Sequence, residues 1–431
     1  DPANPNSMPV TRDLSPAKRR AILDWLANPQ PPITEATPAL PARPAAATPV
    51  TLAPALEALT SPRGGKSAAM TRRIGASATH RPRRAQIRIR PKVSATEAPS
   101  TELDVVKDLL QQAIMLEHAT IPVYLYALYS LEPSKNAMIA QIIQSVVIEE
   151  MLHMTLACNV LNALGGSPTI DSPDFIPTYP GHLPGGVESS LVVHLRPFSL
   201  TQLDTFLDIE QPDDPFEFRS LLAAEEGMTI GDFYRGIEEK IVALGNEAFV
   251  PGPRNQIGPD QMENSVVVTD VASALQAINT IVEQGEGTTS TPKEVVGKRY
   301  AHYYRFMQIK KGRLLVQIST TGPVETQFAY VGPPVPFDPS GVYAAPDDPL
   351  SSTYPAGSQQ AALNNRFNYT YTALLRSLHT TFNGAPDNLG TSIGLMMSLK
   401  GQARDMMSGI PNPSVITGPS FQYKPTDPSP V

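Results

Sequence analysis

The residues best suited to chemistry in this chain are Glu150 and His153, three apart in the run Ile148-Glu149-Glu150-Met151-Leu152-His153. Around them Ile139, Ile142, Ile143, Val146, Val147, Leu156 and Ala157 recur every three or four residues, the period of an amphipathic helix. A carboxylate set in that apolar stripe is stripped of water, at a cost of roughly several kcal/mol unless a partner compensates it. A cation is one such partner, because in helix-bundle sites a Glu-x-x-His pair projects inward and shares a metal with a Glu from another helix. The alternative is a metal-free polar network in which these side chains bond one another or Tyr124, Tyr126 or Tyr234.

A second inward carboxylate stands upstream. Val106, Leu109, Leu110, Ala113, Ile114, Glu117, Ile121 and Leu125 keep helical spacing, so the segment from Leu103 to Leu131 reads as a helix with Glu117 on its buried side. Thr101 and Asp104 form a capping box at its start, and Glu132-Pro133-Ser134 makes a short turn that sets the next helix antiparallel. Pro122 removes a donor to the carbonyl of His118 and predicts a kink about one turn beyond Glu117. By their offsets around the helices, Glu149 is expected outside the direct ligands and His118 is expected as a core or surface histidine.

Several ordered blocks resemble a known family. Leu116-Glu117-His118-Ala119-Thr120-Ile121-Pro122-Val123-Tyr124-Leu125, the Glu149 to His153 run and Leu161-Asn162-Ala163-Leu164-Gly165-Gly166-Ser167-Pro168 are similar to the ferritin-like domain of the iminophenyl-pyruvate dimer synthase type, found in violacein and rebeccamycin assembly. Thr229 to Tyr234, Val282-Glu283-Gln284-Gly285-Glu286-Gly287 and His302-Tyr303-Tyr304-Arg305-Phe306 resemble its later blocks. The resemblance implies an all-α, ferritin-like four-helix bundle with a long expanded crossover and extra C-terminal helices. It also implies a Glu from the third helix, where the segment Val271 to Gln284 offers Glu283, or Glu286 at its end, and a ligand from the fourth helix, His302. Arg299 stands where the symmetrical pattern places a second Glu, and a guanidinium has no lone pair to offer a metal. That leaves three arrangements: a second metal with fewer protein ligands, a mononuclear site, or substitution by Glu294 or Glu238. The expected metal ligands are Glu117, Glu150, His153, Glu283 and His302. The expected cofactor is iron, one or two ions, with dioxygen as co-substrate.

The wider organisation follows from composition. The chain has 431 residues, a formal net charge of -7 and 45 prolines, about twice ordinary proline usage. Four regions are expected: a helical segment over 1–31, a Pro/Ala-rich basic linker over 32–100, a bundle over 101–310 with a crossover insertion at 165–265, and a loop-rich extension over 311–431 whose two helices, near Ser358 to Thr381 and Leu389 to Met407, pack on the bundle. Within the crossover, Leu191 to Leu195 reads as a strand and Thr229 to Leu244 as a helix. From Arg63 to Lys92 every charged side chain is basic, which suits a solvated segment or a docking arm for an acidic surface. The lack of interleaved aromatics argues against nucleic acid. Cys158 is the only cysteine, so no intrachain disulfide forms. No apolar run reaches membrane-spanning length, so a soluble protein is expected, and the cysteine count excludes neither compartment, with the bacterial cytoplasm slightly favoured. Two functions compete: a non-haem iron oxidase or oxygenase acting on a small, amino-acid-derived imine, and a metal-free scaffold that holds a partner enzyme through residues 63–92.

Overall fold

The computed structural model describes residues 101–212, 228–287, 292–293, 299–409, 412 and 415–426. The expected N-terminal helix, the linker, the basic run 63–92, Glu294 and the side chain of Glu286 lie outside the described residues.

Two long helices form the frame. Helix α1 (Glu102–Tyr129) begins at the expected capping box, with Asp104 N–H donating to Thr101 Oγ1 and Thr101 N–H to Asp104 Oδ2, each at 3.1 Å. It runs through Pro122 as one uninterrupted helix, and Tyr179 donates its hydroxyl to the neighbouring carbonyl of Ala119 at 2.7 Å. After a short turn, α2 (Ala137–Ala163) packs back along α1. Glu117 and Glu150 lie at about equal distance from this turn, so antiparallel pairing brings them to the same level. Leu110, Ile114 and Leu116 of α1 and Ile143, Val146 and Leu156 of α2 are fully buried between the elements. Each such side chain contributes about 1.5–3 kcal/mol, the reserve that lets the same interface hold carboxylates.

Four shorter helices close the bundle. In the crossover, α3 (Leu200–Ile209) is capped by Ser199 and α4 (Ile230–Leu244) by Thr229. Helix α5 (Val271–Glu286) starts at the Asp270–Ser273 capping box and packs on α2 and α4, while α6 (His302–Lys311) packs on α2, α3 and α5. Gly312 ends α6 in the left-handed conformation, φ 66°, that favours a glycine. The run Leu191 to Leu195 does not become a strand: Val193 exchanges two backbone bonds with Gly181 and the pairing stops there. The named strands among the described residues are β1 (Val316–Gln317) and β2 (Phe328–Ala329), antiparallel with Val316 opposite Ala329.

The C-terminal helices α7 (Gln359–Phe382) and α8 (Leu389–Ser408) pair with each other and rest on α2 and α1 respectively. The result is an all-α, ferritin-like bundle with a long crossover and two added helices. Buried asparagines of α2 fasten distant loops to it. Asn159 accepts from the N–H of Ile257 at 3.0 Å and donates to the carbonyls of Ile257 and Val266 at 2.9 Å, and Asn162 donates to Phe382 O at 3.0 Å. Cys158 is buried in the core as a free thiol. Among the described residues no helix is long and apolar enough to cross a membrane.

Candidate metal centre

Glu117, Glu150, His153 and His302 converge in one buried cluster between α1, α2 and α6. Glu117 Oε2 lies 3.4 Å from His153 Nδ1, and Glu150 Oε1 lies 3.9 Å from the same nitrogen and 2.8 Å from His302 Nδ1. The two imidazoles stack with centroids 5.2 Å apart. A fifth member comes from the crossover. Glu210, immediately after α3, places Oε1 3.4 Å from His302 Nδ1. The cluster divides into two halves, Glu117 with His153 and Glu210 with His302, and Glu150 stands between them.

Each acidic side chain is held by one hydroxyl. Tyr234 of α4 donates to Glu117 Oε1 at 2.5 Å, and Tyr124 of α1 donates to Glu210 Oε1 at 2.6 Å. The Thr120 hydroxyl lies 3.0 Å from Glu150 Oε2 and 2.9 Å from the Glu117 carbonyl, one proton serving two acceptors. Burial, reinforced by the adjacent carboxylates, raises both tyrosine pKa values well above the usual range, so both stay hydrogen-bond donors. Tyr124 is itself packed edge-on against Phe206 and Phe306.

The outer faces of the imidazoles are also engaged. His153 Nε2 lies 3.0 Å from Gln284 Oε1, and His302 Nε2 lies 3.0 Å from Glu149 Oε2. Both acceptors select the tautomer with hydrogen on Nε2, leaving the Nδ1 lone pairs directed into the cluster. His302 Nδ1 has no hydrogen bond of acceptable geometry although Glu150 Oε1 is 2.8 Å away. Two acceptors facing one point at that separation suit a shared cation, since donors each about 2.1 Å from an ion at a right angle stand about 3 Å apart. A network closed by its own protons would not leave that nitrogen orphaned. The set of carboxylates and imidazoles therefore fits a metal ion, with Glu150, His153 and His302 close enough to share one.

Charge supports the same reading. Among the described residues no Lys or Arg pairs with Glu117, Glu150 or Glu210. The two arginines nearby are spent on Glu149, which receives Arg299 Nη1 at 2.9 Å on one oxygen and Arg305 Nη2 on the other. Burial opposes the Glu149 charge, but Arg305 and His302 outweigh it and hold the carboxyl well below the usual range. Burial and then the neighbouring Glu210 push Glu150 up to about 7. Burial disfavours a charge on His302 and His153, yet the surrounding carboxylates prevail and raise both. Without a cation the cluster is left to take up protons.

Of the expected ligands, the structure does not bring Glu283 into the cluster. It is half-buried on α5, while the next residue, Gln284, faces His153. Glu238 is also half-buried, on α4, and absent from the ion pairs of the centre. Glu149 holds His302 from outside, as its helical offset implied. His118 is buried away from the cluster, with Nε2 2.6 Å from the Tyr371 hydroxyl. Glu210 was missed, although Leu203, Phe206, Leu207 and Glu210 repeat the spacing that exposed Glu117. Glu117, Thr120, Glu150, His153 and Glu210 themselves line a cavity of about 20 Å³, room for about one water-sized molecule. Its apolar wall is Leu116, Ile230 and Ile281, with Gly285 at one side.

Comparison with known proteins agrees with this architecture. Residues 110–311 match a family model described as Ferritin-like. A dichlorochromopyrrolate synthase from Lentzea aerocolonigenes is 27% identical over 315 residues, covering 64% of this chain and 28% of the synthase. The chain thus spans less than a third of that relative's length. The crystal structure of a ferritin-like protein from Caulobacter vibrioides is 26% identical with a TM-score of 0.51, covering 74% of this chain and 97% of that one. These matches support the ferritin-like family in general rather than one enzyme type within it.

Proposed function

We propose that the ferritin-like bundle of this chain is a non-haem iron oxidase or oxygenase, holding one or two ions, that uses dioxygen on a small substrate. The observation that carries the reading is the pair of imidazoles whose Nε2 atoms are tied outward while both Nδ1 atoms face three buried carboxylates. His153, His302, Glu117, Glu150 and Glu210 are the residues that would hold the metal. Bound iron supplies reactivity towards dioxygen, which protein side chains lack. The chain's own residues supply the rest. Tyr234, Tyr124 and Thr120 hold one oxygen of each carboxylate, so its partner oxygen needs little reorganisation. Glu150, with its pKa near neutrality, is the group that gives up a proton from its carboxyl as a cation enters. Leu116, Ile230 and Ile281 keep bulk water from the cavity. An amino-acid-derived imine is the substrate class favoured by the resemblance to the iminophenyl-pyruvate dimer synthase type.

Metal content per chain on anaerobically prepared protein tests the proposal. Wild type should carry about one or two irons, and Glu150→Ala, His153→Ala and His302→Ala should each lose most of it while keeping the helical circular dichroism of wild type. Wild type that binds no transition metal after iron is added back would sink the enzyme reading.

A further inference from the structure

Val282-Glu283-Gln284-Gly285-Glu286-Gly287 closes α5, and two of its residues reach the centre. Gln284 orients His153. Gly285 has no evident reason to be glycine, since within a helix glycine is about 0.5–1 kcal/mol worse than alanine. The left-handed backbone that excuses a glycine belongs to Gly287, φ 85°, and not to Gly285. Nor does a neighbouring backbone press on it: a Cβ at this position would meet Glu210 Oε2 at 3.5 Å, an ordinary contact. What the missing side chain leaves is space, because Gly285 lines the cavity of about 20 Å³ against Glu210. Opposite the ligand side chains Glu117, Glu150, His153 and Glu210, the rest of the lining, Leu116, Ile230 and Ile281, is apolar.

We infer that Gly285 is the aperture of the centre, keeping open the place beside Glu210 through which the end of a small exogenous ligand reaches a bound metal. The inference rests on the metal-centre reading above and adds to it what sets the size of the ligand.

The test uses the full chain reconstituted anaerobically with cobalt(II), as wild type, Gly285→Ala and Gly285→Leu, titrated with azide and followed by the visible cobalt absorption. Cobalt content should be equal in all three. Azide affinity should fall about threefold in the alanine variant and about 30-fold in the leucine variant, the scale of overfilling a packed site. The alanine variant should melt no lower than wild type. Equal cobalt with azide affinity in Gly285→Leu within about twofold of wild type would overturn the aperture while leaving the metal centre standing. If the leucine variant fails to fold, the alanine variant decides by the same criterion. Loss of cobalt from the alanine variant would make Gly285 a packing requirement of the ligands, and would also overturn the aperture. A wild type that takes up no cobalt would overturn both readings together.

Discussion

Glu149 is the residue on which the geometry of His302 depends, and it faces that imidazole from outside the cluster. Arg299 and Arg305 neutralise it, and its Oε2 takes the Nε2 hydrogen of His302. Glu149→Gln should weaken metal affinity by about 10- to 100-fold, the usual effect of removing such an outer partner. It should also cost about 3 kcal/mol of stability, because Arg305 is left buried without its counter-charge. Metal titration and urea unfolding of the same variant separate the two effects, and a variant unchanged in both would refute the orienting role. His118 makes a different kind of prediction. Burial lowers its pKa to about 3, so in acid the unfolded chain takes a proton that the folded chain refuses. Its effect is nil above the unfolded value of 6.5 and becomes destabilising as pH falls from there towards 3. Between pH 7.5 and 5.5 this amounts to about 1.4 kcal/mol. Urea midpoints of wild type and His118→Gln at the two pH values should show that much less acid loss in the variant, and equal slopes would remove His118 as the cause.

Helix α2 gives both ligands and anchors, and its asparagines test the second task. Asn159→Leu removes three hydrogen bonds and leaves the N–H of Ile257 and two carbonyls without partners. The cost should be about 2–4 kcal/mol, with early hydrogen exchange in 257–266 while α1 stays protected. Protection unchanged across that segment would mean the crossover is held by other contacts. The same helix explains what could be read from the residues alone. Glu117, Glu150 and His153 lie on long, regular helices, where an apolar period of about 3.6 makes an intruding polar side chain conspicuous. Helices α4, α5, α7 and α8 were legible for the same reason, to within one or two residues at their ends. Glu210 was not, because α3 has ten residues between the strand and the helix expected in the crossover, and no His three positions on marks it. Glu283 was chosen for its place on the third helix, but a one-residue difference turns a side chain by about 100°, and Gln284 holds the inward position. The strand expected at Leu191 to Leu195 failed because, among the described residues, its ladder is a single bridge from Val193 to Gly181.

For the whole molecule the centre is a liability until a cation enters. Burial and Glu210 hold Glu150 near 7, above its unfolded value of 4.5, so its protonated form favours folding fully below about 4.5, and that contribution is lost as pH rises through about 7. The raised histidines act in the same direction, favouring the folded state below 6.5 and ceasing to do so as pH passes their higher folded values. Chelated protein should therefore lose stability between pH 6 and pH 8, with about 1.4 kcal/mol as the scale from Glu150 alone. A metal reverses the loss, because it takes the place of the protons and binds the folded chain preferentially. At about 100 times its dissociation constant it adds about 2.7 kcal/mol. The metal-induced rise in melting temperature should thus be larger at pH 8 than at pH 6, and Glu150→Gln should flatten the pH slope of the chelated protein. Far-ultraviolet circular dichroism is the suitable readout, since the one tryptophan, Trp25, lies outside the described residues. A chelated wild type whose midpoint rises from pH 6 to pH 8 would contradict the sign of all three shifts. It would return the cluster to a self-satisfied polar network with no need of an ion.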